Sequence, residues 1–227
     1  MKEVLLINGS PKGKKATSHT LLEYIETFIE TYNTEVVSIS DFKGNKMSDL
    51  LAKAASSTDM VISFPLYLDS IPAILQEFME ELTEYRKLNN LSDNINLFTI
   101  VNCGSPEETQ TEVALKIMMC FANRCDLTWQ FGIGIGMGCL LNPEVFFPEH
   151  MFVKNVYEEI DKIPTIITNL LYPDNDYVLI SPKLGFLSGK IARQFYIRKV
   201  NSIWKEKVKK NRIIHPIGYQ PYSIHML

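Results

Sequence analysis

Residues Glu3 to Asn8 form an apolar run that closes in Gly9-Ser10-Pro11, a pattern suited to a strand buried on both faces. From about Ser18 to Tyr32, Leu21, Leu22, Ile25, Phe28 and Ile29 recur at three- and four-residue spacing and predict a helix, with Thr17 or Ser18 as its cap. The pattern then repeats. Strands are expected near Glu35 to Ile39, Met60 to Phe64, Asn96 to Asn102 and Leu127 to Ile135. Helices are expected between them, near Met47 to Ala55, Ile71 to Tyr85 and Thr109 to Asn123. Five strands alternating with helices require crossover connections, hence a mostly parallel α/β sheet with helices on both faces.

The pattern changes after Gly138. Glu149 to Leu171 reads as helix interrupted at Pro164, Tyr172 to Asp176 as a turn cluster, and about Ser188 to Lys210 as a basic amphipathic helix. The expected organisation is a core over residues 1–140 and a helical C-terminal extension over 141–227, packed on that core or on a partner subunit. There is no fixed-period repeat and no low-complexity tract.

Composition excludes several classes. With 46% hydrophobic and 22% charged residues among 227, the chain is neither disordered nor fibrous. The long uncharged stretch Leu127 to Pro143 is too short and glycine-broken to span a bilayer. Glu3 and an early polar Asn8 are unlike a secretory signal, so a cytoplasmic location is expected. Cys103, Cys120, Cys125 and Cys139 contain no close pair of the zinc or redox kind and read as reduced thiols. His150, His215 and His225 show no metal-ligand spacing, and no metal is expected. Net charge is −3, yet Lys183 to Arg212 holds ten Lys or Arg against Glu206 alone, a local +9 that leaves −12 elsewhere. That split argues against a uniformly basic nucleic-acid binder. Three readings remain for the basic helix: an anionic membrane surface, nucleic acid, or docking on an acidic protein body. Docking is favoured.

Ligands of open parallel sheets bind beyond the carboxyl ends of the strands. Three strand ends here are unusual. Asn8 to Thr20 is a glycine- and hydroxyl-containing loop running into a helix start, where backbone N–H groups, the helix dipole, Ser10, Thr17 and Ser18 suit an anion. The bland alternative is an ordinary strand-to-helix turn, with Lys12, Lys14 and Lys15 merely solvated. The loop is neither a Walker A nor a Gly-x-Gly-x-x-Gly motif. The alternating Gly132, Gly134, Gly136 and Gly138 are expected to let helices pack closely on a strand. The second end, Phe64 to Pro72, is a proline-aromatic loop in which Tyr67 and the N–H groups of Leu66 to Ser70 suit a flat ligand. The third is Asn102-Cys103-Gly104-Ser105-Pro106.

On these residues, namely Ile7-Asn8-Gly9-Ser10-Pro11-Lys12, Thr17-Ser18 and Asp59 through Tyr67 with Ile71-Pro72 and Phe78, the chain resembles the flavodoxin-like NAD(P)H-dependent FMN reductases, which include the iron–sulfur flavoproteins. The resemblance covers about residues 3 to 140. It implies a flavodoxin-like doubly wound sheet, with Ser10, Lys12, Thr17 and Ser18 at the FMN phosphate. It also implies Pro65, Leu66, Tyr67, Leu68 and Asp69 at the flavin ring, with Asn102, Cys103 and Gly104 completing the site. His19 joins the phosphate group by its helix-start position, against the alternative of a surface residue. Asp69 has a second reading as the cap of the following helix, and Cys103 as an inert buried thiol. Trp129 and Phe131 read as core. Lys12 stands where the family carries arginine, keeping the charge but losing the bidentate fork. Ser40 to Thr58 has no cysteine, so no iron–sulfur cluster is expected.

The resemblance also implies a homodimer and a flavin-borne reaction with NAD(P)H as co-substrate and a small acceptor: a quinone, a free flavin or a nitro compound. This agrees with the lack of a Ser/His/Asp or paired-carboxylate arrangement, and no catalytic side chain is assigned. Two alternatives are an electron carrier that binds FMN but takes no hydride from a nicotinamide, and a flavin-free binding module.

Overall fold

A computed structural model describes residues 2–42, 44–142, 145–169, 173–184 and 189–210. Outside the described residues lie Leu171 and Tyr172 of the expected helix end and turn, Ser188, Arg212, His215 and His225, and the side chains of Lys190, Arg193, Lys199, Ile203, Trp204 and Lys207. The chain divides into two compact units, Met1–Lys183 and Leu184–Leu227. The first therefore continues past residue 140, where the sequence reading placed the end of the core.

In the first unit, strand β1 (Glu3–Asn8) leads to helix α1 (Thr17–Glu26), and β2 (Asn33–Ser38) to α2 (Met47–Ser56). β3 (Asp59–Pro65) and α3 (Ala73–Leu88) precede β4 (Asn96–Asn102), α4 (Glu112–Arg124) and β5 (Thr128–Ile135). Two short helices, α5 (Lys154–Ile160) and α6 (Lys162–Asn169), lead to β6 (Tyr177–Ile180). The strands are parallel in the order β2-β1-β3-β4-β5-β6. The first five follow the flavodoxin-like order, with the switch point between β1 and β3.

Period-two alternation decides which layer each strand residue joins. Leu5, Ile7, Met60, Ile62 and Phe64 belong to one apolar core with Leu50 and Leu51 of α2, Leu75 and Phe78 of α3, and Leu115 and Met118 of α4. The opposite face carries α1, whose Leu21, Leu22 and Ile25 are fully buried. Tyr24 of α1 packs edge-on against Tyr157 of α5 and donates to Asp161 Oδ1 at 2.8 Å, so α5 lies beside α1. β4 matches its expected span residue for residue.

The sheet has six strands, not five. Tyr177–Ile180 lies in the stretch expected to be a helical extension, but four half-buried apolar residues there make an edge strand. β6 is fastened by side chains: Tyr177 donates its hydroxyl to Glu112 at 2.9 Å and Ser181 to Glu108 at 2.7 Å. Gly134 makes the fit possible, because a Cβ there would lie 2.0 Å from Thr111 Oγ1 and 2.7 Å from Leu179. At Gly132 a Cβ would lie 2.8 Å from the Trp129 ring and 2.9 Å from Leu115 of α4, the second being the helix packing expected there. Gly136 and Gly138 instead accommodate Ser181 and Asn102. The expected break at Pro164 falls at Asp161, and Pro164 sits in the first turn of α6, where its missing N–H costs nothing. α1 ends at Glu26 rather than near Tyr32, because the chain continues in three-residue turns that still bury Ile29.

The second unit contains helix α7 (Gly189–Lys210). Arg198, Lys205, Lys209 and Lys210 are exposed on it, as are Phe195 and Ile197, while Tyr196 is buried.

Candidate functional site

The three loops leave adjacent strands and are stitched to one another at their bases. Gly9 N–H donates to the Ser63 carbonyl at 2.9 Å, joining the first loop to β3. Leu66 N–H donates to the Asn102 carbonyl at 2.9 Å, joining the second to the third.

The first loop is organised by Asn8, a residue quoted in the sequence motif but not placed in the site. Its position at the buried end of β1 obliges its amide to find partners. Asn8 Nδ2 donates to the Gly13 carbonyl at 2.9 Å and to Ser38 Oγ at 3.0 Å. Asn8 Oδ1 accepts from Ser10 N–H at 3.0 Å and from Ser18 Oγ at 2.7 Å. One amide thus fixes both ends of the loop and its junction with α1. An asparagine closing a fully apolar strand was the available sequence signal; its partners Gly13 and Ser38 were not legible.

This network changes the roles of the expected residues. Ser10 and Ser18 are buried, and Ser10 Oγ accepts from Lys12 N–H at 3.3 Å. Neither Thr17 nor Ser18 caps α1, because the N-cap position is Ala16 and no side chain bonds there. The N–H groups of Thr17 and Ser18 consequently have no partner among the described residues. Two unpaired donors at a helix start make an anion-binding feature. Lys12, Lys14 and Lys15 are exposed around it. His19 is buried, which overturns the surface alternative; its Nε2 lies 3.4 Å from Glu23 Oε1, and its Nδ1 has no partner among the described residues.

The second loop is a two-residue reverse turn. Tyr67 N–H donates to the Ser70 carbonyl at 3.0 Å and Ser70 N–H to the Tyr67 carbonyl at 3.1 Å. Leu68 and Asp69 between them have φ of +50° and +60°, the signature of a type I′ turn made without glycine. Leu68 is fully exposed and Tyr67 is 38% exposed. The N–H groups of Leu68 and Asp69 have no partner among the described residues. Asp69 does not cap a helix: α3 begins at Ala73, later than the expected Ile71, and its N-cap position is Pro72.

In the third loop Cys103 N–H donates to the Ile135 carbonyl at 2.8 Å, and Gly138 N–H returns to the Cys103 carbonyl at 2.8 Å. Cys103 is buried, and its Sγ donates toward the Ser105 and Glu107 carbonyls at 3.6 and 3.7 Å. Burial pushes its thiol pKa up, and Glu108, Glu107 and Asp69 add to the rise. It is therefore a thiol, not a nucleophilic thiolate. Asn102 is also buried, and its Oδ1 has no partner among the described residues. Gly104 lies in the same loop. The charges divide accordingly, with lysines at the first loop and Asp69, Glu107 and Glu108 at the other two.

Among the described residues no group of three His, Cys, Asp or Glu could hold a metal ion, and no helix is long and apolar enough to cross a membrane.

No family model and no curated protein matches the sequence. Solved structures do match. An NADH:FMN oxidoreductase in its apo form superposes with a TM-score of 0.57 at 14% identity, over 77% of this chain and 92% of that one. The chain shares that protein's fold. An FMN-dependent NADH-azoreductase from Bacillus anthracis, solved with FMN, gives 0.55 at 19% identity, covering 74% of this chain and all of the other. An NADPH-quinone reductase from P. pentosaceus gives 0.53 at 13%, covering 72% and 98%. These are proteins of the kind the sequence resembles. At such identities the likeness shows the flavodoxin-like fold.

Proposed function

We propose that the chain is an FMN-dependent NAD(P)H oxidoreductase that passes electrons to a small acceptor such as a quinone, a free flavin or a nitro compound. The observation that carries this reading is the start of α1. Two unpaired N–H groups, from Thr17 and Ser18, stand at the strand-order switch point in a loop locked by Asn8 and ringed by lysines. The residues fit FMN at both ends. The phosphate would sit on those two donors, with Thr17 and Lys12 beside it. The ring would meet the free N–H groups of Leu68 and Asp69, the Tyr67 side chain and the unpartnered Asn102 Oδ1.

Bound FMN supplies hydride acceptance and two-electron transfer. The chain's own contribution is placement. Asn8 holds the loop so that the donors need no rearrangement on binding. The I′ turn would hold the second loop against the ring, and Cys103 is buried as a thiol. Homodimerisation belongs to the same reading and rests on the sequence resemblance.

The test is an absorption spectrum from about 300 to 550 nm during titration with FMN and then, without oxygen, with NADH and NADPH. Flavin bands that bleach on nicotinamide addition are expected. Bound flavin that does not bleach would make the chain an electron carrier, and absence of FMN binding would overturn the reading.

A further inference from the structure

The charges of the two compact units do not balance within either. Met1–Lys183 holds 14 Lys or Arg against 25 Asp or Glu, a charge of −11, and Leu184–Leu227 holds nine Lys or Arg against Glu206 alone, a charge of +8. On two helices the imbalance is drawn out as a stripe. With about 100° of turn per residue, Glu77, Glu80, Glu81 and Glu84 share about 100° of the circumference of α3, while Arg198, Lys205 and Lys209 share about 40° of that of α7. The three cations are exposed, as are Glu77, Glu80 and Glu84, and Glu81 is half-buried.

Such stripes work against the helices that carry them. Glu77 with Glu81, Glu80 with Glu84 and Lys205 with Lys209 are like charges four residues apart, where they repel. Other helices of the molecule answer such a position with the opposite charge: Glu112 pairs with Lys116 on α4, and Lys154 with Glu158 on α5. None of the seven stripe residues has an ion-pair partner among the described residues, and Glu80 accepts from Gln76 Nε2 at 2.9 Å. Lys87 closes the α3 stripe in the last turn, where a cation suits the negative helix end.

The stripes also match in register. Leu88, 74% exposed, stands four residues beyond Glu84, and Phe195, 46% exposed, stands three residues before Arg198. Both helices advance about 1.5 Å per residue, so an antiparallel pairing with Phe195 on Leu88 brings Arg198 beside Glu84, Ser202 beside Glu81 and Lys205 beside Glu77. Tyr196 is buried and Val200 and Val208 are half-buried, so the outward face of α7 is mainly the charged one. A helix lying on a membrane would present its apolar face instead.

We infer that α7 of one copy docks antiparallel on α3 of a second copy, cations on glutamates and Phe195 on Leu88. The occupant is a second copy because this chain carries both halves of the match. Two-fold symmetry makes the exchange reciprocal, so the contact occurs twice in each dimer. Neither helix carries a residue of the proposed FMN site, so this inference stands apart from the flavin chemistry, and its failure leaves that chemistry untouched.

The test is sedimentation velocity on the full chain in about 50 mM and about 500 mM NaCl. A dimer is expected at low salt, with its Kd about tenfold or more higher at high salt, because exposed charges are screened. Two charge-reversed chains decide the surface: one carries Arg198→Glu, Lys205→Glu and Lys209→Glu, the other Glu77→Lys, Glu80→Lys and Glu84→Lys. Each alone is expected to be monomeric. Their equimolar mixture is expected to form a heterodimer, since each reversed stripe then meets an opposite one. All six side chains are exposed, so both chains are expected to fold, which thermal melting followed by circular dichroism checks. Should a reversed chain not fold, a chain with Arg198→Gln, Lys205→Gln and Lys209→Gln, which only removes charge, is expected to raise the dimer Kd about tenfold; an unchanged Kd there overturns the proposal. A wild type that is monomeric at both salts, a dimer that persists in both reversed chains, or a mixture that stays monomeric would each overturn it as well.

Discussion

The first and second loops serve the two ends of one proposed ligand and are built in opposite ways. The loop after β1 is anchored from within: Ser10, Gly13 and Ser18 are buried, and one amide satisfies four partners across thirty positions of sequence. The loop after β3 is exposed and is held by the two backbone bonds of the Tyr67–Ser70 bridge, with two non-glycine residues in left-handed conformation. The contrast shows two routes to a preorganised backbone. A loop inside the protein can be fixed by side-chain hydrogen bonds, since water does not compete for them. A loop in water is fixed by the turn geometry itself, which costs about 1 kcal/mol for each residue held in an unfavourable region.

The sharpest way to break the comparison is Asn8→Ala. It strands the Ser10 N–H and the buried hydroxyls of Ser18 and Ser38, while the Gly13 carbonyl keeps its bond from Ala16 N–H, and it should lower stability by about 3 kcal/mol in urea denaturation. FMN affinity, read from quenching of flavin fluorescence, should fall about a hundredfold or more, because the donors at α1 lose their frame. The corresponding change in the second loop should act in the other direction. Replacing Leu68-Asp69 by Asn-Gly supplies the residues a type I′ turn prefers, and Leu68 has no packing to lose. Stability should rise by about 1 kcal/mol, measured by the same denaturation, while FMN binding changes little. A loss of stability would show that the left-handed turn is not the strained element. The smallest effect is expected at Lys12. Lys12→Ala should weaken FMN binding only about fivefold, because the side chain is exposed and screened, and the difference should shrink further in 0.5 M salt, a concentration at which screening reaches only about 4 to 5 Å.

Legibility in the sequence followed the same division. β4 and the parallel, helix-covered sheet were readable because buried parallel strands write continuous apolar runs, and the three site loops were readable because they follow those runs. β6 was not: Tyr177–Ile180 is four residues long and half-exposed, and it exists through Glu112, Glu108 and the bare face of Gly134, all distant in sequence. The Asn8 network was hidden for a similar reason, since the amide's role is set by Ser38 and Gly13. The turn at Leu68-Asp69 carries no glycine to announce it, so its geometry came only from the fold. His19 was legible as a helix-start residue but not as a buried one.

The late strand has a consequence for how the sheet assembles and opens. β6 reaches β5 only after the chain has traversed residues 136–176, so its pairing closes one of the long loops of the molecule and depends on contacts that form after the inner strands. The amides of Gly132 and Gly136, which donate to Asp176 and Ile180, mark that seam. They should exchange with deuterium well before those of β1 and β3. A sheet that opens from this side sheds its margin first, and the inner strands that carry the first two loops stay closed.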